Sequence, residues 1–180
     1  EKIKPGDELI LGKFVSVLSS LNNPKDDLMG GVKKRLKEVS SEGFDMLFSG
    51  HRKEWEKIWK ASDIMIEGDT AAQQAIRFNI FQLNQTYTGK DERLNIGPKG
   101  FTGEKYGGST YWDTEAFVLP FFLKTADQNV VRNLLLYRYK HLEASIKNAS
   151  KLGFKNGAAL YPMVTMNGEE CNNEWEITFE

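Results

Sequence analysis

The spacing of apolar and polar positions changes character along the chain. Residues Asp7 to Ser20, DELILGKFVSVLSS, are rich in Val, Ile, Leu and Phe with partial alternation, which predicts one or two strands. An isolated strand pair is not stable, so this stretch is expected to belong to a sheet completed elsewhere. From Asn22 the apolar positions take helical spacing: Leu28, Val32, Leu36 and Val39, then Phe44, Leu47, His51, Trp55, Ile58 and Trp59 after Gly43. Asn23 followed by Pro24 is a helix start, and Ser41 to Gly43 is a stop, so two helices with solvated charged faces are expected. A third helix is capped by Asp69 and runs to Tyr87, with Ile76, Ile80, Phe81 and Leu83 on one side. Residues 88–113 then form a long irregular segment containing Gly97, Gly100, Gly103, Gly107 and Gly108. Helical patterning resumes in TEAFVLPFFLKTA, where Pro120 should begin or kink a helix. The stretch DQNVVRNLLLYRYKHLEASIKNASKLGF predicts one long helix carrying Val130, Leu134, Tyr137, His141 and Ile146, stopped at Gly153. Beyond it the chain is irregular again until a helix begins near Glu180. Because the pattern stops in mid-element, the chain is expected to be a fragment of a longer one.

Composition narrows the classes. The chain has 180 residues, 40% hydrophobic and 27% charged, enough for one domain with a sizeable core. Its 24 basic residues against 25 acidic ones leave a net charge of −1, without a basic stripe for nucleic acid or an anionic membrane surface. Neither a nucleic-acid nor a membrane partner is therefore expected. The longest apolar run, Ala116 to Leu123, is too short to span a bilayer and contains Pro120. One cysteine, Cys171, excludes an internal disulfide framework, and with no signal-peptide pattern a cytoplasmic location is expected. Two N-glycosylation sequons, at Asn84 and Asn148, lie inside predicted helices and are read as chance matches.

Two short constellations carry candidate chemistry. WDTE (Trp112 to Glu115) and NEWE (Asn173 to Glu176) each place a tryptophan beside a carboxylate where an irregular loop runs into a helix. An indole face packs on the C–H face of a sugar ring, and a carboxylate accepts hydrogen bonds from its hydroxyls. If the two loops share one end of neighbouring helix pairs, both indoles line one carbohydrate pocket. The competing reading makes Trp112 a core anchor and Asp113 a helix cap. The glycine-rich loop fits no phosphate-binding or dinucleotide fingerprint, so nucleotide binding is discarded. His51 and His141 lie on apolar helical faces, where a histidine is usually structural, and no metal site is assigned. Cys171, beside Glu169 and Glu170, has no histidine near it in sequence, which argues against a thiol nucleophile.

The segments RFNIFQLNQT, RLNIGPKGFTGEKYGGSTYWDTEAFVLPFFL, RNLLLYRYKHLEASIKNASKLGFKNGAALYP and NGEECNNEWEITFE together resemble the disaccharide phosphorylases of glycoside hydrolase family 65. The resemblance runs from about Phe44 onward. It implies a mainly α architecture: a terminal strand segment of a β-sandwich over residues 1–20, a helical linker over 21–67, and over 68–180 the first helices of an (α/α)6 catalytic barrel. The pattern departs from the family's at Asn172, where members commonly carry histidine.

The activity implied is reversible phosphorolysis of an α-glucoside with inversion. Inorganic phosphate acts as co-substrate, with no other cofactor, and attacks the anomeric carbon while a protein carboxylic acid protonates the leaving oxygen. Maltose is the expected disaccharide; trehalose, kojibiose or another α-glucoside, and hydrolysis on the same scaffold, are the alternatives. By the resemblance, Trp112 and Asp113, with Trp175 and Glu176, hold the glucosyl unit. The family's general acid and phosphate-binding residues fall in later motifs, so no catalytic residue is assigned in this chain, and by itself it is expected to be inactive. A homodimeric parent is also implied. A different class of reading, a non-catalytic sugar-binding helical module, needs the same tryptophan–carboxylate pairs without the acid.

Overall fold

The structure, a computed structural model, describes residues 3–97, 100 and 109–171. Trp175, Glu176, Glu174 and, in the glycine-rich segment, residues 98, 99 and 101–108 lie outside the described residues. The chain divides into two compact units, Glu1–Lys57 and Ile58–Glu180. Among the described residues it is mainly helical, with one two-stranded sheet.

In the first unit the strands expected over Asp7–Ser20 do not form: residues 7–19 have no regular hydrogen-bonded structure. A strand exists only through the ladder it shares with a partner, and no described strand pairs with this segment. Much of its apolar surface stays in solvent, with Ile10, Leu11 and Val17 each more than four-fifths exposed, while Phe14 and Leu18 are half-buried. Pro24 leads through a single 3₁₀ turn, Lys25–Asp27, into helix α1, Leu28–Glu42. Gly43, at φ 79°, ends it in the left-handed region, and its N–H donates to the Val39 carbonyl. Helix α2 follows at once over Phe44–Ser62. Its exposed Arg52–Glu56 and Lys57–Glu54 pairs mark the solvated face that the charge pattern predicts.

The second unit holds the core. Arg77 donates through Nε and Nη2 to the two carboxylate oxygens of Asp63, at 2.8 and 2.6 Å. Gln73 bonds the Ile66 N–H and the Ile64 carbonyl, so both residues tie the connection after α2 to helix α3, Thr70–Thr86. As predicted, Asp69 caps α3, its carboxylate accepting from the Ala72 N–H at 2.9 Å. Just beyond α3, Tyr87 enters a cluster with Ile96, Phe122, Val131 and Leu134, flanked by Val118, Leu119 and Phe121. Tyr87 and Phe121 both meet Phe122 edge to face. Gly89 must be glycine here: at φ 70° a Cβ would sit 2.7 Å from the Val130 Cα.

Strand β1 is Thr110–Tyr111. After Trp112 and Asp113 the chain enters a wide π-type turn, Thr114–Val118, whose closing bond runs from the Leu119 N–H to the Thr114 carbonyl. The turn passes directly into α4, Leu119–Thr125, with Pro120 in its first turn, where the missing N–H costs nothing. Asp127 then caps α5, Gln128–Tyr139, by accepting from the Asn129 N–H.

The single long helix predicted over Asp127–Gly153 is in fact two. Helix α5 stops at Tyr139, and α6 spans Leu142–Lys151. At the junction the His141 N–H bonds the Arg138 carbonyl at 2.9 Å, a 3₁₀-type contact that interrupts the α-helical pattern. The cause is tertiary. The segment after α6 folds back, so that the Leu160 N–H takes the Ser145 carbonyl and Gly168 lies against His141. Strand β2, Val164–Thr165, pairs antiparallel with β1, Thr110 opposite Thr165 and Tyr111 opposite Val164. Among the described residues no helix is long and apolar enough to cross a membrane.

Candidate functional site

The ladder joins the two segments that carry the tryptophan–carboxylate motifs. Trp112 and Asp113 follow β1 directly, and the chain leaving β2 leads through Cys171 towards Trp175 and Glu176, which lie outside the described residues. Thr110, Thr165 and Val164 are all buried, so the junction is a packed seam rather than a surface ribbon.

Trp112 is 37% exposed and therefore does not anchor the core. Asp113 is exposed, has helical backbone angles, and its side chain makes no cap hydrogen bond to the turn that follows. Neither half of the structural alternative for this pair is realised. The next two residues face inward. Thr114 is buried, and its hydroxyl donates to the Ile96 carbonyl at 2.6 Å. Glu115 receives Arg138 in a two-pronged pair, Nε to Oε1 at 3.0 Å and Nη2 to Oε2 at 3.2 Å. The WDTE motif thus splits into an outward pair and an inward pair, and the wide turn sets the division.

Opposite it, the 162–171 segment is closed on itself. The Glu170 carboxylate accepts from the N–H groups of Met163 and Val164, and the Cys171 N–H donates to the Val164 carbonyl. Thr165 Oγ1 accepts from the Gly168 N–H at 2.7 Å. Gly168, at φ 94°, brings backbone so near α6 that a Cβ would lie 2.8 Å from the Cβ and Cγ of His141. From the helices, the Tyr137 hydroxyl donates to the Met166 carbonyl at 2.7 Å and Asn148 donates to the Gly168 carbonyl. Asn148 is buried in this role, in keeping with its sequon being a chance match.

Burial sets the protonation of nearby groups. His141 packs edge-on against Tyr137, and its Nδ1 is buried without a partner. Desolvation, then the Arg138 charge, lowers its pKa and keeps the ring neutral. The Tyr137 hydroxyl is pushed up chiefly by burial. Tyr87 is pushed up to about 12 by burial and by Asp91, and its hydroxyl too lacks a partner. Among the described residues no group of three or more His, Cys, Asp or Glu side chains could hold a metal ion.

The fold therefore offers an exposed indole and a free-standing carboxylate on a rigid seam, an arrangement suited to gripping a polyhydroxylated ring rather than activating a nucleophile. Glu115 of the first motif, and Glu170 in the segment leading to the second, are occupied in structure. The residues that sequence reading missed are Arg138, Thr114 and Tyr137 as fixings of the seam. Arg138 could have been found, since it lies one helical turn after the buried Leu134 and a charge in that register demands a carboxylate.

Comparison with known proteins places this seam in context. The family described as glycosyl hydrolase family 65 central catalytic domain matches residues 77–180. The chain is 55% identical over 170 residues to the maltose phosphorylase of Bacillus subtilis (strain 168), covering 94% of this chain and 22% of that protein. It is 39% identical over 173 residues to the kojibiose phosphorylase of Caldanaerobacter subterraneus subsp. tengcongensis, covering 96% and 22%. Among solved structures, "Putative kojibiose phosphorylase from human microbiome" superposes with a TM-score of 0.77 at 36% identity, covering 86% of this chain and 21% of that one. The chain thus spans about a fifth of the length of these relatives.

Proposed function

The chain belongs to glycosyl hydrolase family 65, and on that premise we propose that it forms part of an inverting α-glucoside phosphorylase. The observation that carries the reading is the exposed Trp112–Asp113 pair, held on a buried seam, with an Asp113 side chain that makes no cap hydrogen bond to the turn that follows. In this reading Trp112 stacks on the non-reducing glucosyl ring and Asp113 accepts hydrogen bonds from its hydroxyls. Trp175 and Glu176 complete the grip.

Inorganic phosphate is the co-substrate. It attacks the anomeric carbon from the face opposite the leaving group, while a carboxylic acid outside this chain protonates the departing oxygen. An inverting hydrolase needs a second carboxylate to activate water; phosphate is already a nucleophile, so that base is unnecessary. The likeness to the maltose phosphorylase favours maltose over kojibiose or trehalose as the disaccharide. The helices from α3 onward are read as the opening of an (α/α)6 barrel, residues 21–67 as a helical linker, and residues 1–20 as the end of a β-sandwich. A cytoplasmic, homodimeric parent completes the proposal.

The test is incubation of the whole protein with maltose, with and without inorganic phosphate, followed by proton NMR. β-Glucose 1-phosphate formed only with phosphate is the expected result. Free glucose without phosphate would make it a hydrolase. Absence of product with every α-glucoside tried, alongside retained sugar binding, would make it a sugar-binding module.

A further inference from the structure

We propose that Arg138 is a positioning residue for the sugar-gripping pair, an inference that rests on the reading of Trp112 and Asp113 above. Arg138 projects from α5 and is only 8% exposed. All three of its guanidinium nitrogens are committed: Nε and Nη2 to Glu115, and Nη1 to the Pro162 carbonyl at 3.0 Å. Glu115 lies two residues after Asp113, and Pro162 lies two residues before β2. One side chain therefore clasps both segments of the seam, the first beside its exposed pair and the second where it enters the ladder.

The chain around the pair is fixed on every side. β1 holds it before Trp112, the Thr114 hydroxyl pins it to Ile96, and the Arg138 fork sets Glu115. Asp113 has no side-chain bond into the turn, so its aim depends on these fixings. Stability alone is a weak reason for burying such a pair, because well-packed apolar residues of similar volume commonly do as well. Fixed geometry is what a planar, bidentate guanidinium supplies and a lysine ammonium cannot. An error of about 1 Å in a contact of this kind costs up to roughly a hundredfold in rate.

The experiment compares Arg138→Lys, Glu115→Gln and Asp113→Ala in the whole protein, measuring KM for maltose, KM for phosphate, kcat and the unfolding midpoint. Arg138→Lys is expected to raise KM for maltose about tenfold, with KM for phosphate within about twofold of the parent and a folded protein. A lower unfolding midpoint or kcat with unchanged KM for maltose would reduce Arg138 to a structural clip and overturn the inference. If Arg138→Lys fails to fold, Glu115→Gln decides on the same criterion, since it keeps the side chain's shape while removing the charge and replacing one acceptor with an NH2 donor that cannot receive Arg138. Unchanged kinetics in Asp113→Ala would overturn the sugar-contact reading and this inference with it. A loss at Asp113 without a KM change at Arg138 or Glu115 would overturn this inference alone.

Discussion

Arg138 and Glu115 meet through two parallel N–H···O bonds across two different elements, and the same arginine reaches the Pro162 carbonyl. Glu115 follows Asp113 by two residues in the chain. What faces outward there is thus held by what faces inward, and the two functions divide between adjacent residues of one short motif.

Trp112→Ala should cost little stability. A buried tryptophan truncated to alanine costs about 3–5 kcal/mol, but Trp112 is 37% exposed, so no more than about 1–2 kcal/mol is expected. Sugar binding should weaken at least about tenfold with loss of the stacking face. Urea unfolding and calorimetric titration with maltose on the same variant check both parts, and a large stability loss with unchanged affinity would return Trp112 to the core.

Thr114→Val should have the opposite balance. The Thr114 hydroxyl is the donor to the Ile96 carbonyl inside the core, and valine leaves that acceptor unpaired. A loss of about 1–3 kcal/mol is expected, read as a lower urea midpoint at constant m-value.

Acid should weaken the second unit through His141. Its folded pKa lies below the ordinary 6.5, so the stability it contributes is complete above that value and is lost as pH falls through the lowered folded pKa. Protonation would put a charge on a buried ring beside Arg138, with Nδ1 still lacking a partner. His141→Phe keeps an aromatic ring against Tyr137 and should flatten this part of the pH–stability curve, measured as urea midpoints across the acidic range.

Alkali should act through Tyr87. Its folded pKa, about 12, exceeds the ordinary 10, so its contribution is intact below 10 and disappears as pH rises through about 12. Tyr87→Phe removes a buried hydroxyl that has no partner, so stability at neutral pH should stay level or rise by up to about 1 kcal/mol. An ultraviolet titration of the folded protein should lose one late-ionising tyrosine in this variant, that of Tyr137 remaining.

Much of the helical framework was legible because its signals are local. Asp69, Gly43 and the Asn23–Pro24 pair act within a turn of themselves, and the structure uses each at or near the place predicted. Where the structure departs from the local pattern, the reason is not local. Asp7–Ser20 looks like strand because of its residue types, but a ladder depends on a partner that local pattern cannot supply. The break at His141 is invisible to periodicity, because Val130, Leu134, Tyr137 and His141 keep helical spacing right up to it; the contacts that accompany it come from Leu160 and Gly168, further along the chain. Strands of two residues, such as Thr110–Tyr111, are too short to leave any alternation. The pairing of Trp112 with Asp113 is visible in the sequence, whereas the outward placement of the pair is not, since it goes with Thr114 and Glu115 taking the inward positions.

The pairing of Thr110 with Thr165 closes a loop of about 55 residues that contains α4, α5 and α6. Joining ends that far apart in a flexible chain costs about 3–4 kcal/mol of configurational entropy, more than a two-residue ladder returns. The ladder can therefore form only after the three helices have shortened the loop. Trp112 and Asp113 should accordingly gain their final alignment late in folding, and a lesion that loosens α4 from α5 would disturb this pair before it unfolds the helices themselves.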